Sequence, residues 1–138
     1  MASLGRRFVQ TLIGLAAFVI CTTFISAFTS TAAQAGCEEL QAAVASNDYA
    51  VINQEIRKAT SIDCIGPDGD APLHVAIYEL NADMVAYLLK QGAYVNTRND
   101  VGTTPLSIVN SGYSFIEEDD LPVLANIETI LTNAGGAQ

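Results

Sequence analysis

The chain has 138 residues, half of them apolar and 15% charged, with fifteen acidic residues against six basic ones. This is the make-up of a single folded domain and not of a disordered polymer. Its formal charge of −9 repels phosphate backbones and anionic lipid headgroups, which excludes nucleic acid and acidic membrane surfaces as natural partners.

The acidic residues all lie beyond residue 37, whereas residues 8 to 28 form one charge-free apolar run. Arg6 and Arg7 precede that run, and Ala33-Gln34-Ala35 follows it. A basic start, an apolar centre and small residues at a cleavage point define a secretory signal peptide, placing residues 1–35 as leader and 36–138 as the mature domain. Export to the periplasm or the medium is the expectation, in a bacterial type of cell. The run is also about long enough to span a bilayer, so an uncleaved anchor is the competing reading. Once the leader is removed, four basic and fifteen acidic residues remain, a formal charge of −11. A neutral or basic protein partner suits that field, with no membrane contact after cleavage.

Cys21 departs with the leader, leaving Cys37 and Cys64, an even number in an oxidising compartment. A disulfide between them is expected. Free thiols and a lipidated Cys37 are the alternatives, although Gln34 stands where a lipoprotein signal wants Leu.

From here the chain repeats. A shift of 33 residues superposes Leu40, Leu73 and Leu106, then Ala43, Ala76 and Val109, then Ile52 and Val85, Ile56 and Leu89, Ile62 and Val95. The frames run from about 37–65, 66–98 and 99–137. In the middle frame Gly69-Asp70 makes a turn and Pro72 opens a short helix with Leu73, Ala76 and Ile77 on one face. Asn81 to Asp83 supply capping chemistry for a second helix carrying Met84, Val85, Leu88 and Leu89, which Gly92 ends. A unit this thin cannot bury its own apolar face, so the frames must stack.

The third frame is longer: Leu73 to Val85 spans 12 residues, but Leu106 to Ile127 spans 21, an insertion of nine. It holds Tyr113, Phe115 and the acidic run Glu117 to Asp120. Four contiguous carboxylates lack the alternating spacing and central Gly of a calcium loop and read as an acid-rich helix start. Asp120 is then the cap and Pro122 lies in the first turn, ahead of Leu124, Ile127, Ile130 and Leu131. At the end, Ala134-Gly135 reverses the Gly92-Ala93 order.

Asp68-Gly-Asp-Ala-Pro-Leu-His-Val-Ala76 followed by Val85-Ala-Tyr-Leu-Leu-Lys-Gln-Gly-Ala-Tyr-Val-Asn96 resembles an ankyrin repeat, and Gly102-Thr-Thr-Pro-Leu-Ser107 repeats its opening. Ala71 replaces the usual Thr, and Leu80 stands at the inter-helix Gly. The first frame keeps the apolar pattern without the Pro-Leu-His turn, as a polar N-terminal cap does. The resemblance implies an all-α solenoid of about three helix-turn-helix repeats with short hairpin loops, acting as a monomeric protein-interaction module. A cell-envelope structural protein, anchored by membrane or lipid, is the alternative. It also implies that His74 fastens one repeat to the next, and that partner contacts fall on Pro67, Asp68, Asp70, Tyr78 and Glu79 in repeat two. In repeat three they fall on Asp100, Val101, Thr103 and Ser111. With one histidine in the chain, no catalytic set, metal cluster or cofactor motif is expected.

Overall fold

A computed structural model describes residues 35–58 and 60–137. The leader reading lies outside the described residues. Six helices follow one another among the described residues: α1 over 35–45, α2 Tyr49–Arg57, α3 Pro72–Tyr78, α4 Ala82–Lys90, α5 Pro105–Gly112 and α6 Leu121–Asn133. Among the described residues there is no strand. Helix α3 packs on α4 and on α5, and α4 packs on α6, so inner and outer helices form two layers of a repeat stack.

The 33-residue register produces this stack because equivalent apolar residues meet in one core. Leu40, Ala43 and Val44 from α1 join Leu73, Ala76 and Ile77 from α3 and Leu106 and Val109 from α5, all buried. Ile52 from α2, Met84, Val85 and Leu88 from α4, and Leu124, Ile127 and Leu131 from α6 close it from the outer layer. Helices this short are marginal alone and owe their stability to this shared face.

Each helix start has its own solution. The Asp48 carboxylate accepts from Ala50 and Val51 N–H, and the Asn81 amide oxygen accepts from Met84 N–H. Pro72 and Pro105 open the inner helices, where a missing N–H costs nothing. Asp120 occupies the cap position of α6, but its carboxylate makes no capping bond, contrary to the expectation from sequence.

The inserted segment is also longer than the apolar pattern indicates. Gly92 (φ 99°) and Gly135 (φ 89°) both end outer helices in the left-handed region, and they lie 43 residues apart. Matching bonds surround them: Ala93 N–H to Leu88 O at 3.0 Å, and Gly136 N–H to Leu131 O at 2.8 Å. The third repeat therefore carries ten extra residues, and Gly135-Gly136 replace Gly92-Ala93 without any reversal.

Cys37 and Cys64 are joined, with Cα atoms 5.9 Å apart, tying the start of α1 to the loop after α2.

Candidate functional site

Two hairpin tips of the same geometry project from the stack. In the first, Gly66 N–H donates to Asp70 O at 2.9 Å and Gly69 N–H to Gly66 O at 3.0 Å. In the second, 33 residues on, Asn99 N–H donates to Thr103 O at 3.1 Å and Gly102 N–H to Asn99 O at 2.9 Å. The tips are bonded to one another: Asp100 N–H donates to Gly69 O at 2.8 Å, and the Asn99 amide donates to the Asp70 carboxylate at 3.0 Å. Gly69 has φ 84°, and a Cβ there would sit 2.3 Å from the Asp100 carboxyl carbon, so any other residue strains the backbone and displaces the Asp100 side chain.

Below the tips a ladder of side chains joins successive repeats at equivalent positions. The Gln41 amide donates to Asp70 O at 2.5 Å. His74, next in register, accepts Ala71 N–H on Nδ1 at 3.1 Å. Its Nε2 lies 3.2 Å from Thr103 O, and with Nδ1 accepting, Nε2 carries the proton and donates. Ser107, in register with His74, lies 3.0 Å from Thr104 Oγ1, and it is Thr104 Oγ1 that closes the last rung by donating to Ala137 O at 2.9 Å. A parallel ladder passes through Asp63, which accepts Tyr94 N–H at 2.9 Å, and Asn96, which accepts Ala137 N–H at 2.6 Å. His74 is fully buried, and that burial lowers its pKa, against the opposing influence of the Thr103 carbonyl and the Asp70 charge. Gln41 and Asp63 are fasteners that no motif advertised, marked only by their 33-residue register with His74 and with Asn96, the last residue of the motif in repeat two.

On this base the sequence-derived contact positions fall into two rungs. Pro67, Asp68, Asp100 and Val101 are exposed at the tips, Val101 to 78%. Tyr78, on α3, is 54% exposed. Its hydroxyl pKa is raised by partial burial first and by the Asp70 charge second. Asp70 and Thr103 are half-buried, Asp70 committed to the inter-tip bond with Asn99 and the Thr103 carbonyl to the His74 ring and to Asn99 N–H. Ser111 holds Tyr78's register position, and its hydroxyl donates back to Ser107 O and Ile108 O within α5. Glu79 stands apart from the tips: it ends α3 and lines a groove with Pro122, Val123 and Asn126 of α6.

Among the described residues no three of His, Cys, Asp or Glu are grouped to hold a metal ion, and no helix is long and apolar enough to cross a membrane.

Residues 68–100 match the family model of the ankyrin repeat. An ankyrin repeat protein of Fowlpox virus (strain NVSL) is 35% identical over 85 residues, 61% of this chain and 16% of that protein. The BTB/POZ domain and ankyrin repeat-containing protein NBCL of Lotus japonicus is 42% identical over 64 residues, 46% of this chain and 13% of its own length. Protein phosphatase 1 regulatory subunit 27 of Mus musculus is 42% identical over 57 residues, 41% of this chain and 37% of the mouse protein. The chain thus spans about one sixth or less of the first two relatives.

Proposed function

We propose that this ankyrin-repeat protein is exported and acts as a monomer by binding a neutral or basic protein partner, without catalysing a reaction. The observation that carries the reading is the pair of bonded tips. They hold Pro67, Asp68, Asp100 and Val101 outward on a rigid backbone, with the Tyr78 ring on the adjoining inner helix. Rigid presentation lowers the ordering cost of association, and a large, two-torsion aromatic is the residue type that dominates such interfaces. A mouse relative's name describes a regulatory subunit of a phosphatase, a role exercised by binding. Export rests on the apolar run and on Ala33-Gln34-Ala35, with maturation at Gly36, and it accounts for a paired Cys37 and Cys64.

Site-directed photo-crosslinking in the producing cell tests this. A photoreactive residue at Val101 or at Tyr78 should yield the same protein adduct, and one at the exposed outer-layer position Ala86 should not. Adducts of equal yield from all three sites, or none from the tips, would contradict it. Edman sequencing of the mature protein should begin at Gly36, and a sequence beginning at Met1 would remove the export reading.

A further inference from the structure

The basic residues of the described domain are confined to one edge, whereas acidic residues lie at both. The α1–α2 turn carries Asp48, the α3–α4 turn has Glu79 and Asp83 at its ends, and the α5–α6 connection has Glu117, Glu118, Asp119 and Asp120, with no basic residue in these segments. The four bases sit at the opposite edge: Arg57 and Lys58 end α2, Lys90 ends α4, and the Arg98 guanidinium donates to Gly102 O at the second tip. The edge away from the tips is therefore uniformly negative.

That edge also has shape. A groove of about 520 Å³ lies between the α3–α4 turn and the start of α6, with Leu80, Ala82, Pro122 and Val123 as its apolar lining and Glu79 and Asp83 at its rim. In the 43-residue register fixed by Gly92 and Gly135, Pro122 and Val123 match Glu79 and Leu80, which precede α4. The inserted segment has thus lengthened α6 by a turn and made a wall that repeat two lacks. Leu80 holds φ 51°, a left-handed conformation unusual for a residue of its bulk, at the groove. The connection into α6 leaves Phe115 exposed to 89% and is fixed at its other end by Tyr113 Oη donating to Glu128 at 2.6 Å.

We propose that this groove is a second docking surface, separate from the tips, and that it takes a basic amphipathic segment of a protein partner. Apolar side chains of that segment pack on Leu80, Pro122 and Val123, and its Lys and Arg side chains meet the Glu79 and Asp83 carboxylates. Charge complementarity selects the occupant: an acidic or phosphorylated segment meets only like charge there, while the apolar lining disfavours a purely polar cation.

A fluorescein-labelled helical peptide of Lys, Leu and Ala, and its counterpart with Glu for Lys, serve as probes in anisotropy titrations of the mature protein. The Lys peptide should bind, more weakly as salt rises from about 50 to about 300 mM, and the Glu peptide should not. Glu79→Lys with Asp83→Lys should weaken binding about tenfold, and Pro122→Ser about threefold, whereas Glu38→Lys with Glu39→Lys on α1 should change it less than about twofold. All of these side chains are exposed, so the fold survives, which far-UV circular dichroism verifies. Equal losses for the groove and α1 reversals would mean that only net charge is sensed. Loss for neither, or amide shifts that bypass Leu80 and Val123 in a nitrogen-15 titration, would equally overturn the proposal.

Discussion

Replacing His74 by alanine removes two bonds, one within the turn of repeat two and one that joins repeat two to repeat three. Ala71 N–H, buried to 0%, loses the Nδ1 acceptor, and Thr103 O loses the Nε2 donor. An orphaned buried donor costs about 1–3 kcal/mol, the second bond about 1 kcal/mol, and the cavity left by a fully buried ring adds to both. The total expected is about 3–5 kcal/mol, a large part of the roughly 5–15 kcal/mol that holds a small domain folded. His74→Gln is the informative partner variant, because Gln41 already fills the equivalent position and donates to Asp70 O. Glutamine at 74 should restore the bond to Thr103 O but serve Ala71 N–H poorly, for a loss of about 1–2 kcal/mol. Urea unfolding followed at 222 nm near neutral pH, with the disulfide intact, measures both. The reasoning fails if His74→Ala lies within about 0.5 kcal/mol of the parent, or if Ala and Gln cost the same, since either result would mean that the ring's bonds carry no stability.

Acid should act through the same ring: its folded pKa is lowered below an ordinary 6.5, so its contribution is complete above pH 6.5 and is lost as pH falls toward the folded value. Between neutral pH and about pH 5 the parent should lose more stability than His74→Gln, in paired urea titrations; parallel losses would discount it. Reducing the Cys37–Cys64 bond, or replacing both residues by serine, should cost about 3–4 kcal/mol for a loop of 27 residues, and an unchanged urea midpoint under reductant would refute that. Leu80→Gly should change stability by less than about 1 kcal/mol, because relief of the φ 51° backbone offsets lost apolar contact, while Leu88→Ala in the core costs about 3 kcal/mol. Equal losses for these two in thermal melts would show that Leu80 carries no strain.

The repeats and tips were legible because they are local: Pro72-Leu73-His74 and Gly102 to Leu106 announce their turns, and the 33-residue shift aligns residues that share one core. The insertion was misjudged by one residue for a definite reason. Ile127 was matched to Val85, but in the fold it fills Met84's place, and an apolar stripe at a 3.6-residue period tolerates that slip without placing a polar residue in the core. Backbone conformation at Gly92 and Gly135 removes the ambiguity, and no side-chain pattern carries it. Likewise Glu79 was grouped with Tyr78 because they are neighbours in sequence, yet the helix ends between them and turns Glu79 toward α6. The groove could not be read from sequence, since its two walls lie about 40 residues apart and meet only once α6 has gained its extra turn.

The measurement that bears most directly on the central claim is the affinity of the crosslinked partner for Tyr78→Ala. Half-exposed Tyr78 is not one of the buried residues of the stacking core, so the variant should keep a melting temperature close to the parent's. Binding should weaken by about 30-fold, the equivalent of about 2 kcal/mol for a central aromatic anchor, chiefly through faster dissociation. An affinity within about twofold of the parent, at unchanged stability, would contradict recognition through the tips and the inner-helix face.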